Sequence, residues 1–362
     1  MNKKLIAAAL AVLPTAAAMA DVTLYGTIEA DIENGKAYNY GFSKADGKLK
    51  SGTNIDDTGS LIGFKGTEDL GNGLKAIWQV EQGLNIDGST AYQGNAYNNT
   101  FATRDSFVGL EGGFGKVRLG KLSTNLNSDM EAPDAWIYGK GVNGQTYSSM
   151  NVLDGRLNNA IRYDSPELYG LKATLAYGFG EKTVANEKTQ PEYNVGLAYQ
   201  NAGYFASFGY VAARNQFDNA GETKTANYWR LEGGYNANNL LVAAYYGKSK
   251  AYFAGSAFTA YADMLDNLGA GLVDGDQVKT TEYGVTVGYT LGAFTPKFSY
   301  GRVSDIKING DKTDEKINQY TVGVDYALSK RTTAYTSLGF AHHKADGLEN
   351  EHTFAVGVQH KF

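Results

Sequence analysis

Apolar residues fall at every second position through most of this chain, and that period admits few folds. Tyr320, Val322, Val324 and Tyr326 make one such row, and Tyr283, Val285, Val287 and Tyr289 another. Val22, Leu24, Ile28, Ala30 and Ile32 alternate with Thr23, Tyr25, Thr27, Glu29, Asp31 and Glu33. Leu74, Ala76, Trp78 and Val80 alternate with Lys75, Gln79 and Glu81. A period of two belongs to a β-strand with one apolar and one polar face. Less regular strands are expected near 58–67, 101–111, 114–121, 158–165, 203–214, 239–248, 293–303 and 331–342, which brings the count to sixteen.

The connections alternate in length. Short ones rich in Gly, Asn and Pro fall at 69–72, 111–113, 165–169, 200–202, 236–238, 291–292 and 329–330, where turn chemistry demands such residues. Long ones fall at 34–57, 85–100, 122–157, 181–190, 215–225, 249–279, 304–315 and 343–350. Strict alternation puts all long loops at one end of an antiparallel sheet. An even strand number with short turns at one end is the plan of an outer-membrane β-barrel. A soluble sandwich would suit shorter strands than the ten to twelve residues several of these run to. Tyr177, Phe179, Tyr199, Tyr210, Tyr289, Tyr300 and Tyr326 lie near strand ends, where amphipathic rings meet a membrane interface. No stretch after residue 20 supplies the apolar run of a membrane-spanning helix.

The ends fit this plan. Lys3 and Lys4, an apolar run from Leu5 to Leu13, and Ala18-Met19-Ala20 read as a signal peptide over 1–20, with the barrel domain over 21–362 beginning at Asp21. Its removal takes the formal charge from −5 to −7, and no basic block points to nucleic acid. There is no cysteine, so cohesion does not come from disulfides. Phe354, Val356, Val358 and Phe362 alternate with Thr353, Gly357, Gln359 and Lys361. A closed barrel needs its last strand to pair with its first, because an open edge in lipid strands polar backbone groups. Residues 351–362 are therefore expected beside 22–33, with Phe362 at the inner rim as an interfacial anchor.

Specific segments carry a resemblance. They are D21-V-T-L-Y-G-T, G63-F-K-G-T-E-D-L-G-N-G-L-K-A, S106-F-V-G-L-E-G-G-F-G-K-V-R-L-G, R162-Y-D-S-P-E-L-Y-G-L, L-S-K-R-T at 328–332, and the terminal Phe. In this order they resemble the general porins of β-proteobacteria, including the neisserial type. The resemblance implies a homotrimer in outer-membrane lipid and lipopolysaccharide. It implies passive diffusion of small ions and hydrophilic solutes without a cofactor. It also implies a terminal Phe362 read by the barrel-assembly machinery. In that family the third long loop folds inward and narrows the pore; the matching segment is Leu122 to Leu157. It carries Asp129, Glu131, Asp134 and Asp154. Lys65, Lys75, Arg104, Arg118 and Arg162 are expected on the wall facing it, and Arg104 and Arg156 match positions where relatives place bases. Some relatives carry a further Arg at the start of the second strand, where this chain has Ser60-Leu61, which argues against strong anion selectivity. The lean is weakly anionic, with Glu29, Asp31 and Glu33 pulling the other way. Acid on the loop and base on the wall would set a transverse field across a narrow aqueous slot.

Two alternatives stand beside this reading: a substrate-selective channel on the same fold, and an adhesin or enzyme built on the loops. Gly115 to Lys121 spells P-loop spacing, but Leu122 replaces the Ser or Thr that would bind magnesium, and the segment reads as a strand. His342 and His343 lack the companions of a metal site and read as exposed loop residues. No nucleophile–base–orienter set stands out. Asn98-Asn99-Thr100 is a chance sequon. Tyr261, Met264, Leu265 and Leu268 suggest a short amphipathic helix on the loop cap.

Overall fold

The computed structural model describes residues 21–37, 49–57, 59–88, 91–92, 95–96, 101–137, 142–145, 153–180, 190–219, 222–252, 273 and 275–362. The signal segment, the 98–100 sequon and the 261–268 helix lie outside them. Sixteen long strands form one closed antiparallel sheet. They are β1 (Asp21–Lys36), β2 (Leu61–Gly71), β3 (Leu74–Gly83), β4 (Ser106–Gly112), β5 (Gly115–Ser123), β6 (Arg156–Asp164), β7 (Leu171–Gly178) and β8 (Glu192–Asn201). The second half comprises β9 (Tyr204–Asn219), β10 (Glu222–Ala237), β11 (Leu240–Tyr252), β12 (Gln277–Tyr289), β13 (Phe294–Ile308), β14 (Ile317–Ala327), β15 (Thr332–His343) and β16 (Glu351–Lys361). Short turns sit where the sequence puts them: Asn72, Ala202 and Asn238 take positive φ, each beside or one residue from a Gly or Asn that does the same.

Which face is buried decides the environment. On β1 Glu33 is 1% exposed while Ile32 beside it is 56% exposed. Phe354, Val356 and Val358 are exposed on β16 while Thr353 and Ala355 are fully buried. Polar inside and apolar outside is the inverse of a soluble fold and fits a barrel in lipid. The outward aromatics form two belts. Tyr177 stacks edge-on against Tyr193 at 5.0 Å and Tyr300 packs on Tyr320 at 5.2 Å toward the long-loop end. Tyr204 with Tyr235 at 4.9 Å and Phe294 with Tyr326 at 4.6 Å mark the short-turn end.

Closure joins β16 to β1, from Thr27 opposite Lys361 to Lys36 opposite His352. Phe362 and Gly26 exchange two backbone hydrogen bonds of 3.0 Å. The partner range is thus 27–36 rather than 22–33, and Phe362 lies five residues inside the start of β1. The stagger of a tilted barrel explains the offset, since β2 meets β1 lower, over Asp21–Thr27. Above that point a short strand, Gly52–Asp56, continues along β1 from Asp31 to Gly35. The break between it and β2 is bridged by side chains. Ser60 Oγ accepts the Glu29 N–H at 2.9 Å, and Asp57 accepts from the amides of Gly59, Ser60 and Ile86.

Three local expectations change. Arg104 precedes β4, which starts at Ser106, so it reaches the lumen from a loop. Arg156 opens β6. His343 is buried at the top of β15, because Glu315 and Glu351 clasp its ring at 2.7 and 2.8 Å; His342 beside it is exposed. The Gly115–Lys121 stretch lies in β5, as expected of a fortuitous motif.

Candidate pore constriction

The third long connection leaves β5 at Ser123 and turns into the lumen through a single helical turn, α1 (Asn125–Ser128), capped by Thr124. Small residues make room for it on the wall. A side chain at Gly196 would come within 2.5 Å of Asn125, and one at Gly209 within 2.5 Å of Leu126. Asn125 and Asn194 hydrogen-bond through both side chain and backbone, at 2.5 and 2.9 Å.

Two arginines hold the first half of the loop. Arg162 on β6 donates to Ser123 O at 2.7 Å and Ser128 Oγ at 2.9 Å, and forms ion pairs with Asp129 at 2.5 Å and Asp164 at 2.8 Å. Lys172 on β7 meets Asp129 from the other side at 3.3 Å. Arg230 on β10 has no exposed surface; it donates to Leu126 O at 2.9 Å and to Met130 O, and pairs with Asp154 at 2.9 Å. An arginine fork satisfies several carbonyls and a carboxylate at once, which suits a buried tether.

The second half continues around the wall. Gln145 donates to Thr286 on β12 at 2.6 Å. Trp136 donates to Ser299 on β13 at 2.8 Å, and Lys297 donates to Ala135 O at 2.5 Å while lying over the Trp136 ring. Gln319 on β14 reaches the carbonyls of Val142 and Gly144 at 2.8 and 2.5 Å. Any side chain at Gly339 on β15 would stand 2.0 Å from Val142 O. The described part of the loop therefore follows the inner wall from β6 to β16, where Thr353 Oγ1 accepts the Val142 N–H at 3.4 Å, and among the described residues the lumen face of β2–β5 is the more open side, with Lys65 exposed and Arg118 partly so.

That open wall carries its charges in pairs. Arg104 binds Glu81 at 2.6 Å, Tyr25 donates to the other oxygen of Glu81 at 2.9 Å, and Arg156 binds Asp105 at 2.6 Å. Arg118 pairs with Asp164 at 2.5 Å and lies over the Phe107 ring. Lys65 lies over the Tyr25 ring at 5.0 Å. Lys75 sits one residue into β3, at the inner rim. On the loop Glu131 is exposed, and Asp134 is half-buried near the Gln145 anchor.

The sequence-predicted residues thus fall into three places. Arg162 and Asp129 meet as an anchor instead of facing each other across the slot. Arg104, Arg118 and Arg156 line the open wall, each with an acid. Lys75 stands apart from both. Sequence reasoning missed Arg230, Asp105, Glu81 and Lys297 as partners. Lumen parity on the strands carries the signal for Arg230 and Lys297, and the adjacency of Asp105 to Arg104 carries that for Asp105.

A family model described as Gram-negative porin matches residues 6–346. The chain belongs to the Gram-negative porin family. It is 38% identical to the major outer membrane protein P.IB of Neisseria lactamica and 36% identical to that of Neisseria sicca, each over the full length of both chains. Among solved structures it resembles an anion-selective porin from Comamonas acidovorans, with a TM-score of 0.73 and 24% identity over 95% of this chain and 100% of that one. The outer membrane channel DcaP of Acinetobacter baumannii has a TM-score of 0.67 and 15% identity over 97% and 99%. The porin spans the outer membrane and forms a diffusion channel there.

Proposed function

We propose that the porin is a general diffusion channel whose narrowest part lies between the third loop and the open lumen face of β2–β5. The observation that carries this reading is the path of the loop: its described residues are fastened to the lumen wall from β6 to β16, which leaves the β2–β5 side for solute. Lys65, Arg104, Arg118 and Arg156 line that side, and Asp129, Glu131 and Asp134 belong to the loop. Because most of the wall bases already hold an acid within 2.6 Å, their field is largely cancelled and ion preference is weak, leaning to anions. Residues 1–20 are removed on export, Phe362 is read by the assembly machinery, and three copies associate in a bilayer with lipopolysaccharide. Liposome swelling with neutral sugars of rising size tests the channel. A rate that falls smoothly with sugar size supports general diffusion. Saturation by one sugar alone would favour a substrate-selective channel.

A further inference from the structure

The lumen wall changes character toward its long-loop end. Nearer the short turns, β12–β15 turn Thr286, Ser299, Thr321 and Ser337 inward, as a wet bore demands. Above them the same faces become apolar. Val278 on β12, Val303 and Ile306 on β13, Ile317 on β14 and Ala341 on β15 are buried in one cluster, and Val303 stands directly opposite Ile317. Apolar side chains on a wet face leave apolar area in water unless something covers them. Two loops supply the cover. Leu49 from the first long connection, 5% exposed, and Val142 from the third, 4% exposed, complete the cluster. The patch is thus closed to solute and serves as a seat for loops.

The first connection comes to this seat from the wall. Leu49 stands three residues before Gly52, which pairs with Gly35 of β1. The Leu49 N–H donates to Glu349 Oε2 at 2.8 Å, and Lys36, at the end of β1, meets the same oxygen at 2.9 Å. Leu348, next to Glu349, packs against the cluster from the last connection. Val142 is fastened by its backbone to other strands: Gln319 donates to its carbonyl at 2.8 Å, and Thr353 accepts its N–H. Its side chain lies in the apolar cluster, where Leu49 is the member that neither the wall strands nor the third loop supplies.

We propose that Leu49, fixed by Glu349, is a positioning residue for the third loop, so that the first and last connections together hold the second half of that loop against the wall. The assignment rests on the reading that the third loop bounds the bore. Without Leu49 the cluster opens to water and Val142 loses apolar cover. A loop loosened there samples more positions, so the bore fluctuates and its size limit rises.

The test is planar-bilayer recording with neutral polyethylene glycols of graded size, which change the current only when they enter the bore. Leu49→Ser and Glu349→Ala are expected to admit larger polymers than the wild type and to raise open-channel noise. Leu49→Met, which keeps an apolar side chain in the cluster, is expected to restore the wild-type limit. Heat-resistant gel mobility should be the same for all four proteins, because the barrel ladder does not use the Leu49 side chain. A wild-type size limit and noise in Leu49→Ser and Glu349→Ala overturn the assignment, as does a Leu49→Met channel as loose as Leu49→Ser. Loss of heat-resistant mobility in Leu49→Ser would make its role one of folding and overturn it too. In each of these cases a conducting wild type leaves the channel reading standing. No conductance from the folded wild type defeats that reading first, and this assignment with it.

Discussion

Arg230 fastens the third loop to the lumen wall through one buried side chain. Its guanidinium gathers two loop carbonyls and Asp154 where water is excluded. Removing one member of such a buried pair costs roughly 3–5 kcal/mol, because the remaining charge is left uncompensated. The ladder of β10 does not depend on that side chain, so the loss falls on the loop. Arg230→Met is expected to leave a folded barrel with larger and noisier single-channel current; unchanged current would remove Arg230 from the tether. Arg104 acts differently, since it is partly exposed and answers Glu81 on the open wall. Arg104→Ala leaves Glu81 without this base in the slot. Planar-bilayer recordings should show higher conductance and a shift of reversal potential toward cations. The sequence makes Arg104 visible as a motif position, but the sign of its effect depends on Glu81, which sequence spacing does not bring to it.

Elements in this barrel are set by pattern where lipid and water face opposite sides, and by individual side chains where they do not. The alternation of β12 and β14 is enough to place both strands within a few residues. The course of the third loop is invisible to that pattern. It depends on glycines at 196, 209 and 339 that leave space on the wall, and on donors such as Gln319 and Trp136 far away in sequence. The β1 ladder offers the same contrast: the strand is legible, while its break at 57–60 is held by Asp57 and Ser60.

At the long-loop end, beyond the outward ring of Phe340, His343 joins the loop after β13 to that after β15. Both ring nitrogens meet carboxylates, and Ala345 N–H donates to Glu315 at 2.7 Å. Burial alone would lower the His343 pKa; the hydrogen bonds and charges of Glu315 and Glu351 outweigh it and raise the value to about 9. A raised histidine pKa stabilises the folded form fully below the unfolded value of about 6.5. That contribution, at most about 3 kcal/mol, is lost as pH rises through about 9. Hydrogen exchange at residues 344–350, corrected for intrinsic rates, should accelerate between pH 7 and 10. In His343→Gln the same residues should exchange quickly at both, and a flat wild-type profile would discard the latch.

Over the whole molecule, stability and function both depend on closure. Most of the architecture is legible because a membrane barrel repeats one rule sixteen times, apolar out and polar in, with short turns at one end. The stagger of the seam is not legible, since it follows from strand tilt around the full circumference. It places the Phe362 ring over Gly26, where an added Cβ would lie 2.5 Å from the ring. Gly26→Val should lower the yield of heat-resistant barrel on refolding, read by gel mobility, while Gly113→Ala in an open turn should not. The central claim is that this closed wall surrounds a wet slot with nearly cancelled charges. Planar-bilayer recording of the purified porin under a salt gradient tests it most directly. The account predicts stepwise conductance in groups of three with a small reversal potential on the anion side. No conductance from a folded barrel, or a strong preference for cations, would contradict it.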